Sequence, residues 1–407
     1  MDKSTNKIPR FDLIKSEKGK SIFLFGPRKI GKSTYLKKNF THSLYFNLLN
    51  SSLFFEFQKE PFRLREHILA LKAKNDKSLE EPIIIDEIQK IPALLDEVHL
   101  MIEEYGFDFI LCGSSARKLK RSSVNMLGGR AWSYSFHPFT YHELEQAKKW
   151  DLLRALKQGL IPNHYLEPDK NFKKNLQSYV QTYLKEEVQE ESLVRNLANF
   201  SRFIDSLAYS HGELTNYSNI ARDCGIDSKT VKEYYQILID TLLGSYISPY
   251  TPSSGRETIK STPKFYLFDV GLANYICHQK FNELRGELAG KALEHLVFME
   301  LNAYINYYDK DFKIKFWRTK TGLEVDFILT ELREVRFALE VNISKNISKR
   351  DLKGIVAFKE ENPDTNAYLI CLEKNSRLIK TKSGIEVQII SIEDFLDMLW
   401  SNKLTHN

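Results

Sequence analysis

Residues 26–34 read Gly26-Pro27-Arg28-Lys29-Ile30-Gly31-Lys32-Ser33-Thr34. This is a glycine, four variable residues, then Gly-Lys-Ser. The apolar run SIFLF (21–25) precedes it, and residues 32–40 have helical composition. Strand, glycine-rich turn and helix together form the setting of a phosphate-binding loop. The glycines let backbone N–H groups wrap an anion, and the helix N-terminus adds a favourable dipole. Lys32 is expected to meet the β- and γ-phosphates of ATP, and Ser33 to ligate Mg²⁺.

Downstream, PIIIDE (82–87) is an apolar strand that ends in two acids. Asp86 is the expected second contact to the Mg²⁺ shell, and Glu87 the group that polarises the attacking water. An N-cap pair for the helix starting near Pro92 is the simpler use of two acids. The loop upstream favours the catalytic one. FDFILCGSS (107–115) is another strand, ending in Ser114 and Ser115. Ser114 is read as a polar residue that orients water. Arg117, Lys118, Lys120 and Arg121 follow as a basic cluster, and Arg130 lies in LGGRAW. Arg117 reads equally as a charge stabiliser or as part of a solvated loop. Arg130, set between glycines and a strand, is read as a charge stabiliser.

Working outward, LYFN (44–47) and AWSYSFHPF (131–139) add two more strands between helix-like segments. Buried strands alternating with helices predict a parallel α/β sheet covered on both faces. Gly159, Pro162 and Pro168 mark a boundary. Residues 172–250 read as mostly helical and 251–264 as a turn-rich segment. Residues 284–308 read as an amphipathic helix, with Leu293, Val297, Leu301 and Ile305 four apart. KIKFWR (313–318), LEVDFIL (323–329), RFALEVN (336–342) and AYLICL (367–372) read as strands.

The chain has 407 residues, enough for about two to three domains. A 42% hydrophobic content excludes a disordered chain. No apolar run is long enough to span a membrane, and the N-terminus lacks a signal-peptide core, so a cytoplasmic protein without a membrane partner is expected. The four cysteines are far apart, which argues against a disulfide framework or a zinc site. Net charge is +6. Residues 1–170 carry 28 Lys/Arg against 21 Asp/Glu, residues 171–282 carry 12 against 12, and residues 283–407 carry 19 against 20. The basic excess lies wholly in the first part, which suits either nucleic acid or phosphate chemistry.

FGPRKIGKST, PIIIDEIQKIP, LCGSSARKL, LGGRAW and FHPFTYHEL resemble the AAA-type P-loop ATPases of bacteria and archaea that carry a C-terminal domain of unknown function. SYVQTYLKEEV (178–188) is similar to that family's junction helix. NYSNIARDCGIDSKTVKEYYQILIDTLL (216–243) and PKFYLFDVGLANYI (263–276) resemble its winged-helix region, and FWRTKTGLEVDFIL with ALEVNIS its restriction-endonuclease-like domain. The resemblance implies an ATPase domain over 1–165, a helical and winged-helix domain over 171–282, and an endonuclease-like α/β domain over 283–407, which the residues discussed below mark as inactive.

Tyr217 to Cys224, the turn at Gly225, and Ser228 to Leu243 have helix-turn-helix spacing. Arg256, Lys260 and Lys264 would lie on the wing. The segment is electrically neutral, so a packing or partner-docking role is favoured over DNA binding. Asp326 and Glu340 on neighbouring strands, with Glu294 on the helix before them, could hold a metal for phosphodiester hydrolysis. The last motif reads Glu340-Val341-Asn342, without the lysine an active site of this kind carries, and Lys345 falls on a loop. The expectation is Mg²⁺-dependent ATP binding and hydrolysis that switches the C-terminal domains, with DNA, a protein partner or a second copy of the chain as the counterpart. An arginine from a neighbouring subunit would then complete the site. An ATP-gated nuclease and a nucleotide-dependent scaffold with little turnover are the alternatives. Glu87 disfavours the scaffold and Asn342 the nuclease.

Overall fold

The computed structural model describes residues 8–15, 17–114, 127–184, 196–251, 262–332 and 334–405. The first strand, β1 (Ser21–Phe25), is buried throughout and ends at the glycine that opens the loop. Helix α1 (Lys32–Asn39) starts from Gly31, whose φ of 97° is left-handed and easy only for glycine. Then come β2 (Tyr45–Asn47), α2 (Ser51–Lys59), α3 (Arg63–Ala73), β3 (Ile83–Asp86), α4 (Leu94–Tyr105), β4 (Phe109–Gly113) and β5 (Ala131–Ser135). These five strands form one parallel sheet in the order β2-β3-β4-β1-β5. Strand β4 therefore lies between the strand that feeds the loop and the strand that ends in acids. Its register pairs Phe25 with Gly113 and Asp86 with Cys112, so three strand tips finish side by side. The sheet's C-terminal edge at such a crossing of strand order is where α/β folds bind ligands.

A helical region follows: α5 (Tyr141–Gln146), α6 (Leu152–Gln158), α7 (Pro162–Tyr165), α8 (Asp169–Ser178), a π-helical turn over Tyr179–Leu184, α9 (Leu197–Ser206), α10 (Tyr217–Cys224) and α11 (Ser228–Asp240). The second half of the segment read as a junction helix falls outside the described residues. Gly225 is left-handed between α10 and α11, and Asp227 caps α11 through the N–H groups of Lys229 and Thr230. Strands β6 (Gly244–Pro249) and β7 (Lys264–Leu267) pair antiparallel, and α12 (Val270–Ile276) leads to α13 (Gly286–Tyr307).

The remaining elements are β8 (Lys313–Arg318), β9 (Glu324–Glu331), β10 (Glu334–Val341), α14 (Lys353–Glu361), β11 (Asn366–Cys371), β12 (Arg377–Lys380), β13 (Glu386–Ser391) and α15 (Ile392–Trp400). They form a mixed sheet that also takes in the preceding hairpin, in the order β12-β13-β11-β10-β9-β8-β6-β7. Ser248 and Pro249 of β6 pair with Lys315 and Phe316 of β8, so this sheet crosses the boundary drawn at residue 283. The four-residue spacing on 284–308 suggests one apolar stripe, but α13 is buried nearly all round. It lies against β5, α6, α12, β10 and α15. One apolar core consequently runs from Ile22 and Leu24 under the loop to Leu293, Leu339 and Leu399.

Candidate phosphate site

Gly26 is held where no side chain fits: a Cβ there would lie 2.5 Å from the carbonyl oxygen of Phe136. Lys29 is also left-handed, with φ of 66°. The Lys32 ammonium is buried and donates to the Gly26 and Pro27 carbonyls at 2.6 and 2.8 Å. It thereby spans the space the loop encloses. Tyr179 donates to the carbonyl of Arg28 at 3.2 Å, so the helical region covers the outer turn of the loop. His164 packs edge-on against Tyr179. Burial, with help from the charge of Lys29, pushes its pKa down to about 4.

Ser33 donates to Asp86 Oδ2 at 2.7 Å, and Tyr45 donates to the same oxygen at 2.5 Å. Asp86 is buried, and its other oxygen, Oδ1, has no hydrogen-bond partner. A buried carboxylate oxygen is rarely left without a donor or a cation. A hard divalent ion prefers oxygen ligands, and a hydroxyl beside a half-satisfied carboxylate fits Mg²⁺. Burial and the nearby Asp86 both push the Tyr45 pKa up. Tyr45 was not singled out in the sequence. It lies on a three-residue strand, and only the parallel pairing with β3 brings it to Asp86.

Glu87 is left-handed, with φ 63° and ψ 40°, a conformation uncommon for a side chain of this kind. It turns the chain off β3. Gln89 Nε2 donates to Glu87 Oε2 at 2.5 Å and to Ser114 Oγ at 3.1 Å, which ties the acid to the end of β4. Gly113 leaves room for it: a Cβ there would meet Gln89 Oε1 at 2.5 Å. That oxygen is buried without a partner. Gln89 was likewise missed, because a glutamine after Asp-Glu carries no motif of its own. Lys32, Ser33, Asp86, Glu87 and Ser114 thus converge on the tips of β1, β3 and β4.

Arg130 is not part of this group. Its backbone carbonyl accepts from Ser21 N at 3.1 Å, at the start of β1, and its guanidinium pairs with Glu103 of α4. It stands at the opposite end of the sheet, about five strand residues or roughly 16 Å from Gly26. A charge stabiliser for the loop of its own chain it cannot be. Glycines before a strand locate its N-terminal end, and phosphates bind at the other. Ser115, Arg117, Lys118, Lys120 and Arg121 lie outside the described residues. Among the described residues outside the loop, Arg10 reaches it, its Nη1 donating to the Ile30 carbonyl at 2.6 Å.

The carboxylates of the C-terminal sheet sit around a cation from another element. Lys264, at the start of β7, is buried and lies 2.6 Å from Glu324 and 3.4 Å from Glu294. It cannot face DNA from a wing. Tyr266 donates to Glu294 beside it. Asp326 accepts from Val341 N at 2.8 Å, and Glu340 Oε2 is buried without a partner. Burial, followed by neighbouring acids, pushes both Asp326 and Glu340 well up. Asn342 accepts from Ser344 N at 2.9 Å and donates to Asp351 at 3.4 Å, bonds that shape the loop after β10. Lys345 is exposed. Among the described residues no three acidic, histidine or cysteine side chains are grouped to hold a metal. No described helix is long and apolar enough to cross a membrane.

Residues 18–145 match the family described as AAA domain. Residues 149–283 match a domain of unknown function (DUF8612), and residues 289–395 another (DUF4143). An uncharacterized protein of Mycobacterium tuberculosis is 23% identical over 342 residues, covering 82% of this chain and 73% of the relative. One of Methanocaldococcus jannaschii is 25% identical over 392 residues, covering 88% and 84%. Among solved structures, the Aeropyrum pernix ORC1 protein in complex with DNA aligns at 12% identity and a TM-score of 0.24, over 64% of this chain and 87% of that one. By its loop, its strand order and its matched domains, the chain is a P-loop protein of AAA type that carries a C-terminal domain of unknown function.

Proposed function

We propose that the chain binds ATP with Mg²⁺ and hydrolyses it slowly, and that nucleotide state changes how the C-terminal domains pack. The observation that carries this reading is the meeting of Lys32, Ser33, Asp86, Glu87 and Ser114 at three adjacent strand tips. Lys32 would exchange its two carbonyl partners for the β- and γ-phosphates. Ser33 and Asp86 would hold the metal, with Asp86 Oδ1 as the unused acceptor. Mg²⁺, when bound there, supplies positive charge against the phosphate oxygens. Glu87 accepts the proton of the attacking water, held in place by Gln89, while Ser114 fixes Gln89 from the other side. A stabilising arginine would be Arg117 or one from a second copy of the chain, since Arg130 is out of reach.

We read α10, α11 and the β6–β7 hairpin as a winged helix, and the sheet from β8 onward as an endonuclease-like domain. With Lys264 buried under its own carboxylates, the hairpin docks onto that domain, which favours a packing or partner-binding module over a DNA reader. The same lysine takes the cation's place among the acids and supports a silent nuclease. The test is calorimetric titration with Mg²⁺ and ATP. Wild type binds, and Lys32→Ala loses about 100-fold in affinity, the cost of a lost bond to a charged group and of the loop's only inward charge. Equal affinity in the two would contradict the reading.

A further inference from the structure

Arg10 lies in a segment that belongs to neither sheet, yet it is among the most heavily engaged side chains near the loop. A guanidinium has five N–H donors in a fixed plane. Here Nη1 donates to the Ile30 carbonyl at 2.6 Å, Nη2 to the His137 and Pro138 carbonyls at 2.6 and 3.1 Å, and Nε to Glu143 at 2.9 Å. Its flat faces lie near Phe136, 4.2 Å from the ring centre, and Phe139, at 5.2 Å. Only 9% of the side chain is exposed. Ordering so long a side chain costs rotamer entropy that a surface arginine keeps, so a buried fork with every edge bonded is a fixed part of the structure.

Its position gives that fixture a purpose. Ile30 precedes Gly31 and Lys32, the residues that would meet the phosphates. In a trans peptide the C=O and N–H point in opposite directions. Holding the Ile30 oxygen sets the direction of the Gly31 N–H and leaves it free for an anion. The other end of the contact reaches the C-terminal domain. Glu143 takes Arg10 and also Phe11 N, at 2.7 Å, and sits in the capping box of α5 with Thr140. Phe11 stacks on Tyr307 of α13, with centres 5.0 Å apart, and lies 6.0 Å from Trp400 of α15. Glu300 of α13 accepts from Tyr141 N and from Trp400 Nε1 at 2.9 and 2.7 Å.

We propose that Arg10 is the positioning residue of the phosphate loop, holding the Ile30–Gly31 peptide in its anion-binding orientation and joining it, through Glu143 and Phe11, to helices α13 and α15. This rests on the nucleotide reading above and adds the physical link by which nucleotide reaches the C-terminal domain. A lysine at position 10 keeps the charge but cannot bond four acceptors in one plane.

The experiment measures binding of a fluorescent ATP analogue, with Mg²⁺, and hydrogen exchange over 298–307 and 392–400 with and without that analogue. In wild type, nucleotide should change exchange in both C-terminal segments. Arg10→Lys should weaken binding about 10- to 100-fold and, at saturating nucleotide, abolish that remote change. Phe11→Leu, which leaves Arg10 in place, should keep wild-type affinity and lose the remote change, and it serves as the test if Arg10→Lys does not fold. Wild type that binds nucleotide, with Arg10→Lys or Phe11→Leu showing the same affinity and the same remote response, overturns the proposal and leaves the nucleotide reading intact. Wild type that binds no nucleotide removes the nucleotide reading, and the proposal falls with it.

Discussion

Asp86 has one oxygen with two donors and another with none, and that asymmetry is the most informative feature at the scale of single residues. Ser33 and Tyr45 crowd one side, and in the proposed function the other oxygen is the one that would meet the metal shell. Gln89 shows the same asymmetry, with its amide nitrogen shared between Glu87 and Ser114 and its oxygen unpartnered. If its work is to aim Glu87, Gln89→Ala should lower kcat about 10- to 100-fold with KM little changed, the loss associated with a bond to a charged group. Steady-state kinetics decide this, and a rise in KM with unchanged kcat would move Gln89 to nucleotide binding instead. That the loop, Asp86 and Glu87 lie together was legible in the sequence, because a phosphate-type loop followed by an acid-ended strand is a pattern of spacing. Tyr45, Gln89 and Arg10 were not, since each reaches the site only through the pairing of strands or the path of an unpatterned segment.

At the scale of elements, α13 and β7 carry the join between the two sheets. Glu300 is buried in α13, and burial raises its pKa from the usual carboxylate range to about 8, partly opposed by the Tyr141 N–H and the Trp400 indole. The folded state therefore holds a proton that the unfolded state releases. This contribution is present below about pH 4.5 and is lost as pH rises towards 8, at about 1.4 kcal/mol per unit. Thermal midpoints measured from pH 5 to 8.5 should fall more steeply for wild type than for Glu300→Gln, which has no proton to lose. Parallel curves would mean that Glu300 ionises freely. Lys264 on β7 balances Glu324 and Glu294. Removing one partner of a buried ion pair costs about 3–5 kcal/mol. Lys264→Met should lower the denaturation midpoint accordingly. A midpoint equal to wild type would show that the lysine is dispensable. The sequence placed this lysine on an exposed wing because a turn-rich segment with three cations looks like one. The pairing of β6 with β8, which buries it, joins residues more than sixty positions apart and leaves no local signal.

For the whole molecule, the first five strands were legible as a parallel sheet, though not in their order, because apolar strands ending in glycine, acids and serines recur between helices. The span of the second sheet was not foreseeable, as it depends on a hairpin crossing the boundary that the family resemblance sets at residue 283. The consequence is a chain whose nucleotide loop, N-terminal segment and C-terminal helices share one core. A protein built this way should gain rigidity at both ends when nucleotide binds at one. The proposed hydrolysis requires the loop to be a site of chemistry and not only of binding. Phosphate release from saturating Mg²⁺ and ATP, compared between wild type and Glu87→Gln at matched nucleotide occupancy, tests that directly. Wild type should release phosphate slowly but measurably, and the rate should fall about 100-fold or more in Glu87→Gln, whose amide preserves shape but accepts no proton. Release at the wild-type rate from Glu87→Gln would contradict this reading.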